Sequence, residues 1–218
     1  MPCPCPSKMR VMRLFCFSDL HNDLGAGKRL GGEALVANVD LLISAGDLAV
    51  DGRHDPQLYR ELAWAGRPVF AIPGNHDRDG PYRVASAAAG WFDLDGRVIE
   101  QEGFWFAGHG FAVSTGAYSG PDASRQSEDP FLTQLLAQLE AMPRERIILV
   151  THLPPWGTLA ARDHKFIDRG NVQLQEWVER RQPLAVICGH VHHPEASMER
   201  LGETLVVNPG PHGQMLVL

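Results

Sequence analysis

The sequence predicts an α/β fold of two facing sheets with helices on their outer sides, and three observations lead there. Nine apolar segments of strand length recur along the chain, at residues 11–17, 40–44, 68–72, 97–100, 104–108, 146–150, 184–188, 204–208 and 214–218. Helical stretches at about 33–39, 57–65, 82–89, 127–141 and 171–181 separate many of them, the alternation that makes parallel sheets. The last strands follow one another without a helix, which predicts a closing meander. Two sheets accommodate this many strands.

Residues 1–10 (MPCPCPSKMR) hold three prolines and no periodicity, the composition of a disordered tail; Cys3 and Cys5 have no partner cysteines nearby for a metal site. From Val11 onward one domain over 11–218 is expected, since 218 residues fall near the usual size of a single domain. The first strand (VMRLFCF) runs into SDLH, the second (DLLIS) into GDL and the third (PVFAI) into GNHD. In the fourth helix, Phe131, Leu132, Leu135, Leu136 and Leu139 fall on one apolar face. RIILV then leads into THLPP, LAVIC into GHVHH and TLVV into NPG. In open α/β folds ligands bind beyond the carboxyl ends of the strands, so these six loops can meet at one rim.

Composition narrows the function classes. Hydrophobic residues make up 44% and charged residues 21%, enough for a packed core and too apolar for a disordered chain. The net charge of −6 provides no diffuse positive field for duplex nucleic acid, so any phosphate recognition must be local. No apolar run reaches membrane-span length, and Val11–Phe17 is broken by Arg13 and lacks a small-residue cleavage site, so neither anchor nor signal peptide is expected. Four scattered cysteines favour a reducing compartment, with the cytoplasm as the expected location. The sequence does not specify an oligomeric state.

Ten histidines are the unusual feature, and five of them (His21, His76, His152, His190 and His192) sit at strand ends. Asp19 and His21 are one residue apart, so in extended backbone both face the same side, and His190 and His192 repeat the spacing. Asp47 follows Gly46 and has two oxygens with which to bridge two cations, while Asn75 and His152 end two further strands. Asp19, His21, Asp47, Asn75, His152, His190 and His192 therefore supply oxygen and imidazole donors with no thiolate. That set suits manganese, iron or zinc, and two ions better than one. Two divalent ions bring +4, the two carboxylates −2 and a bridging hydroxide −1. The remainder of +1 invites an anionic phosphoryl guest. Such a pair lowers the pKa of a shared water for in-line attack, and His76 is left over as general acid for the departing alkoxide or as donor to a phosphoryl oxygen. In the rim loops Arg78, His164 and Trp156 are candidate substrate contacts, beside Lys28, Arg29, Arg162 and Lys165; His54, His109, His193 and His212 are read as structural.

DLH, GDL, GNHD, THLPP and GHVH, in this order over roughly residues 12–210, resemble the calcineurin-like metallophosphoesterase superfamily. The resemblance implies a four-layer α/β/β/α sandwich of two mixed sheets with a dinuclear site at the rim. It implies one metal on Asp19, His21, Asp47 and His192, the other on Asp47, Asn75, His152 and His190, and catalytic roles for His76 and Asp47. GDLAVDG and GNHD depart from the protein phosphatase signature, and the chain is too short for a capped double-strand-break nuclease. What remains resembles the small prokaryotic phosphodiesterases acting on a small phosphate ester such as a cyclic nucleotide. A phosphomonoesterase or compact single-strand nuclease, and a non-catalytic scaffold on the same fold, are the alternatives.

Overall fold

The computed structural model describes residues 11–110 and 129–218; the expected tail over 1–10, with Cys3 and Cys5, lies outside them. Along the chain the strands are β1 (Arg13–Phe17), β2 (Leu41–Ser44), β3 (Val69–Ala71), β4 (Phe92–Asp93), β5 (Val98–Gln101), β6 (Phe104–His109), β7 (Ile147–Thr151), β8 (Ala185–Ile187), β9 (Met198–Leu201), β10 (Thr204–Val207) and β11 (Gln214–Val217). The helices are α1 (Leu24–Val36), α2 (Pro56–Ala63), α3 (Asp79–Ala88), α4 (Pro130–Leu139) and α5 (Val172–Arg181).

One sheet has the order β11-β1-β2-β3-β4 and the other β5-β6-β7-β8-β10-β9. Both are mixed: β1 to β4 run parallel with β11 antiparallel at the edge, and β6, β7, β8 and β10 run parallel between antiparallel β5 and β9. Side-chain alternation divides the apolar residues into layers. Leu14, Cys16 and Ile43 from the first sheet meet Phe106, Ile148, Val150 and Ile187 from the second in the central core. Phe15, Phe17 and Leu42 point the other way, to Leu30, Leu58, Leu62 and Tyr82 on α1, α2 and α3. Ile147, Leu149 and Val186 face Leu132, Leu135, Trp177 and Val178 on α4 and α5. The expected α/β/β/α sandwich is therefore present, and each fully buried Leu, Ile or Phe in it contributes roughly 1.5–3 kcal/mol.

Several local expectations are corrected. The expected closing meander is absent, because β11 leaves β10 and pairs antiparallel with β1 in the other sheet. Strands β4 and β9 were not foreseen: β4 has two residues, and β9 (MERL) is too polar to resemble a strand. Helix α1 begins nine residues earlier than its expected start at 33, capped by Asp23, whose side chain accepts from Ala26 N at 3.0 Å. Four glycines hide it, since each lowers helix propensity. Gly31 has a packing reason, because a Cβ there would run into the Glu61 carbonyl of α2. In α4, Phe131 is 75% exposed, so it lies off the apolar face on which the spacing placed it.

Candidate metal centre

The loops after β1, β2, β3, β7, β8 and β10 meet at one rim, stitched by backbone hydrogen bonds. Asp19 N donates to Gly46 O at 2.9 Å, His21 N to Asp47 O at 3.0 Å, and Gly189 N to His152 O at 3.0 Å. Asp19, His21, Asp47 and His190 all adopt positive φ, at 57°, 45°, 55° and 69°. Such a backbone costs of order 1–3 kcal/mol per residue outside glycine, and that strain concentrates at functional sites. Gly46 is required by close approach: a Cβ there would lie 2.6 Å from Gly74 N and 2.8 Å from His152 Nδ1.

Asp19, His21, Asp47 and His192 form a first cluster, each offering a ligand atom within 4.8 Å of all the others. Its carboxylates are buried, with Asp19 4% and Asp47 1% exposed. Asp19 is held from two sides, by Ser18 Oγ donating at 2.6 Å and His190 N donating at 3.1 Å. His21 Nδ1 faces Ala49 O at 3.2 Å, a contact that requires the proton on Nδ1 and leaves the Nε2 lone pair free. That lone pair lies 3.0 Å from His192 Nε2, and His192 Nε2 is 3.6 Å from Asp19 Oδ1. Two imidazole nitrogens thus converge on two buried carboxylates, a set of donors of the kind that ligates a metal ion. The donors therefore fit a cation.

A second cluster abuts the first. Asn75 Oδ1 lies 3.0 Å from His152 Nε2 and 2.8 Å from His190 Nδ1, and His152 Nε2 is 3.4 Å from Asp47 Oδ2. His152 Nδ1 sits 2.8 Å from Ala45 O, so its proton is fixed there and Nε2 turns inward. Asp47 joins the clusters: Oδ2 is 3.4 Å from His152 Nε2 and 4.0 Å from His21 Nε2, while Oδ1 accepts from His76 N at 2.7 Å. All seven donors expected from the sequence are thus gathered around Asp47.

The protein without ions shows the strain of this arrangement in its acidities. Burial pushes the Asp19 carboxyl up, and the Asp47 charge adds to it, outweighing the opposing His152. Burial acts the same way on Asp47, but the charge and hydrogen bond of His152 prevail and hold its carboxyl below the usual range. Against its own burial, His152 is pushed up to about 9 by Asp47. His190 is pushed down to about 3, first by burial and then by the neighbouring His152. In effect His152 carries a proton where a cation would stand.

The other expected residues divide. His76 lies beside the first cluster, its ring edge-on to His21 with centroids 4.9 Å apart and its Nδ1 3.8 Å from Asp51 Oδ1. Arg78 is exposed and lies over Gly52 in the turn after Asp51. His164 joins Asp163, Arg169, His190, Val191, His192 and His193 around a cavity of about 340 Å³ next to the clusters. Trp156 is not among the residues lining that cavity; it is half-buried, and its backbone N–H donates to Asn171 O at 3.0 Å. Arg29 is occupied with the Pro211 and His212 carbonyls and Arg162 faces Glu195 at 3.7 Å. Asn208 Nδ2 fixes the rim by donating to Gly189 O and Val191 O.

Three further residues emerge only from the structure. Ser18 steadies Asp19, and its place directly before Asp19 was the available signal. Asp51 approaches His76 through a turn closed by Arg53 N donating to Val50 O, with Gly52 N donating to His76 O at 2.7 Å. Asp77, directly after His76, accepts three backbone N–H groups: Ala49 at 2.9 Å, Gly74 at 2.9 Å and Leu48 at 3.3 Å. One buried carboxylate thereby ties the GDL loop to the GNHD loop.

Two mixed sheets between helical layers, with nitrogen and oxygen donors converging at the strand ends, are the arrangement of the metallophosphoesterase fold. The chain belongs to the calcineurin-like phosphoesterase family, whose model matches residues 12–194. A curated relative, a probable glycerophosphodiester phosphodiesterase GpdQ of Arcobacter nitrofigilis, is 26% identical over 166 residues, covering 73% of this chain. This chain spans 59% of that relative's length. Among solved structures, TT1561 of Thermus thermophilus superposes with a TM-score of 0.67 at 20% identity over 92% of this chain and 90% of that one. A dimetal phosphatase from Danio rerio gives 0.64 at 13% identity over 94% and 91%. At these identities the two structures speak for the fold. Among the described residues no helix is long and apolar enough to cross a membrane.

Proposed function

We propose that this chain is a dinuclear phosphodiesterase acting on a small phosphate ester, with Asp19, His21, Asp47 and His192 on one ion and Asp47, Asn75, His152 and His190 on the other. The observation that carries the reading is Asp47 Oδ2 standing between His21 and His152, so that one buried carboxylate serves both donor clusters. The oxygen and imidazole donors suit manganese, iron or zinc. When bound, two such ions supply Lewis acidity toward water and the phosphoryl group. Two divalent charges against two carboxylates leave 4 − 2 = +2, which favours an anionic ester.

The protein's own part is positional. Ala49 O and Ala45 O hold the Nδ1–H groups of His21 and His152, so both Nε2 atoms face the clusters, that of His152 as a lone pair once its second proton has left. The His76 backbone is held at both ends, by Asp47 Oδ1 on its N–H and by Gly52 N on its carbonyl. Its side chain is 41% exposed, open to a ligand, and Asp51 faces Nδ1. His76 is thereby placed to act as general acid toward the departing alkoxide. Arg78, two residues on, supplies a charge beside the same ester. The diester preference draws support from the relative named as a probable phosphodiesterase. Duplex nucleic acid is a poor match to a net charge of −6. The cytoplasm is supported by Cys16 and Cys188, both buried free thiols.

The test is hydrolysis of a chromogenic phosphodiester beside the matching monoester, with manganese, zinc or a chelator. Manganese- or zinc-dependent diester cleavage that the chelator abolishes is expected. Cleavage of the monoester alone would overturn the phosphodiesterase reading.

A further inference from the structure

The cavity beside the clusters has two walls, and both are locked before any ligand arrives. One is the His190–His193 turn after β8. The other is the loop from Trp156 to Gly170, where Asp163 Oδ1 accepts from Lys165 N at 2.9 Å and Ile167 N at 3.0 Å, and Asp163 N donates to Ile167 O at 3.0 Å. Asp168 closes the base of that loop by accepting from Gly157 N at 2.8 Å and Gly170 N at 2.9 Å. The walls are tied to each other, since Glu195 N donates to Arg162 O at 3.0 Å and the rings of His164 and His193 meet edge-on with centroids 6.3 Å apart. A wall held this way loses little freedom on binding.

The polar groups at this cavity indicate what it accepts. Asp163 Oδ2 takes both Nε and Nη2 of Arg169, at 3.3 and 3.2 Å. Their charges cancel, and among the described residues Nη1 has no acceptor. His164 and His193 add two exposed imidazoles, which donate or accept according to tautomer. The cavity thus offers hydrogen bonds in several directions, with the Arg169 charge balanced by Asp163. A volume of about 340 Å³ has room for a group of several heavy atoms.

We propose that this cavity is a subsite for an uncharged, hydroxyl-bearing arm of the phosphate ester, with Arg169, His164 and His193 as its specificity-determining residues. The subsite rests on the phosphodiesterase reading above and names the chemistry of the substrate's second arm. Among the described residues lining the cavity, an arm bearing a second phosphate finds no arginine or lysine without a carboxylate partner. A plain alkyl arm makes no hydrogen bond to Arg169 Nη1 or to either imidazole. Hydroxyls satisfy them.

The test uses three diesters of 4-nitrophenyl phosphate that differ in the retained arm: methyl, 2,3-dihydroxypropyl and 2-phosphoethyl. In each, water forms the new P–O bond and 4-nitrophenolate leaves. With the manganese-loaded full chain, kcat/KM is expected to be about tenfold higher for the dihydroxypropyl arm than for methyl, the worth of one or two net hydrogen bonds. Most of that difference should lie in KM. His164→Ala, His193→Ala and Arg169→Lys should each bring the ratio toward one, with thermal unfolding confirming that each variant is folded. Equal efficiency on all three arms, a preference for the phosphorylated arm, or an unchanged ratio in all three variants would sink the subsite alone. No cleavage of any diester with any metal would sink the phosphodiesterase reading and the subsite with it.

Discussion

Replacing Asp77 with asparagine keeps the shape of a fully buried side chain and removes one of its acceptors. The carboxylate receives Ala49 N on Oδ1 and both Gly74 N and Leu48 N on Oδ2. An amide oxygen can serve one side only, so its NH2 must face a backbone N–H across the other. A hydrogen bond to a charged acceptor contributes about 1.5–3 kcal/mol, and a stranded buried donor costs about 1–3 kcal/mol. Relief in the opposite direction comes from the lost charge, because burial and then the neighbouring Asp47 already push the Asp77 carboxyl up. The net loss is expected to be about 2–3 kcal/mol. At roughly 2–4 °C per kcal/mol for a domain of this size, Tm should fall by about 4–12 °C. Asp77→Ala strands all three donors and should cost more. Since Leu48 and Ala49 follow Asp47 directly, manganese affinity should weaken by about tenfold in Asp77→Asn. Urea unfolding with and without manganese, together with metal titration, measures both effects. Stability of both variants within about 0.5 kcal/mol of the parent would refute the reasoning that Asp77 joins the two loops.

Asp47→Asn should lose most of the affinity for both ions and nearly all turnover, since Asp47 borders both clusters; elemental analysis after gel filtration checks it, and two ions retained per chain would contradict the shared-carboxylate reading. In the metal-free protein His152 is raised from an ordinary value of about 6.5 to about 9, so its contribution to stability is complete below pH 6.5 and is lost as pH rises toward 9. Thermal unfolding of the metal-free protein should therefore weaken across that window, whereas the metal-loaded protein should not follow this trend; a rise in metal-free stability over the same range would count against it. Calorimetry near neutral pH in buffers of different ionisation enthalpy should show about one proton released as the second cluster fills, because a ligating His152 must be neutral. Gly31→Ala should destabilise by about 1–3 kcal/mol, since its Cβ is directed at the Glu61 carbonyl and the two helices must separate; chemical denaturation would expose the error if the variant were as stable as the parent.

Much of the site was legible because its chemistry is written in local strings. Asp19, His21, Asp47, Asn75, His76, His152, His190 and His192 each end or follow an apolar strand, and the parallel part of a sheet delivers all such ends to one rim. The sandwich was legible for a related reason, since strands buried on both faces appear as unbroken apolar runs. Elements decided by distant partners were not. Helix α1 is rich in glycine and takes its support from packing on α2, and β9 is a polar strand that exists because β10 pairs with it. β11 crosses to β1 because pairing there completes an edge, a choice no local pattern records.

The sequence alone determined which donors are available and in what order strands present them, since residue type and the strand period are local properties. Tertiary structure alone decided that Asp47 stands between two clusters, that Asp77 joins the GDL and GNHD loops, and that Asp163 neutralises Arg169 beside the cavity. Those facts depend on ångström-scale distances between segments remote in sequence, which packing sets and composition does not.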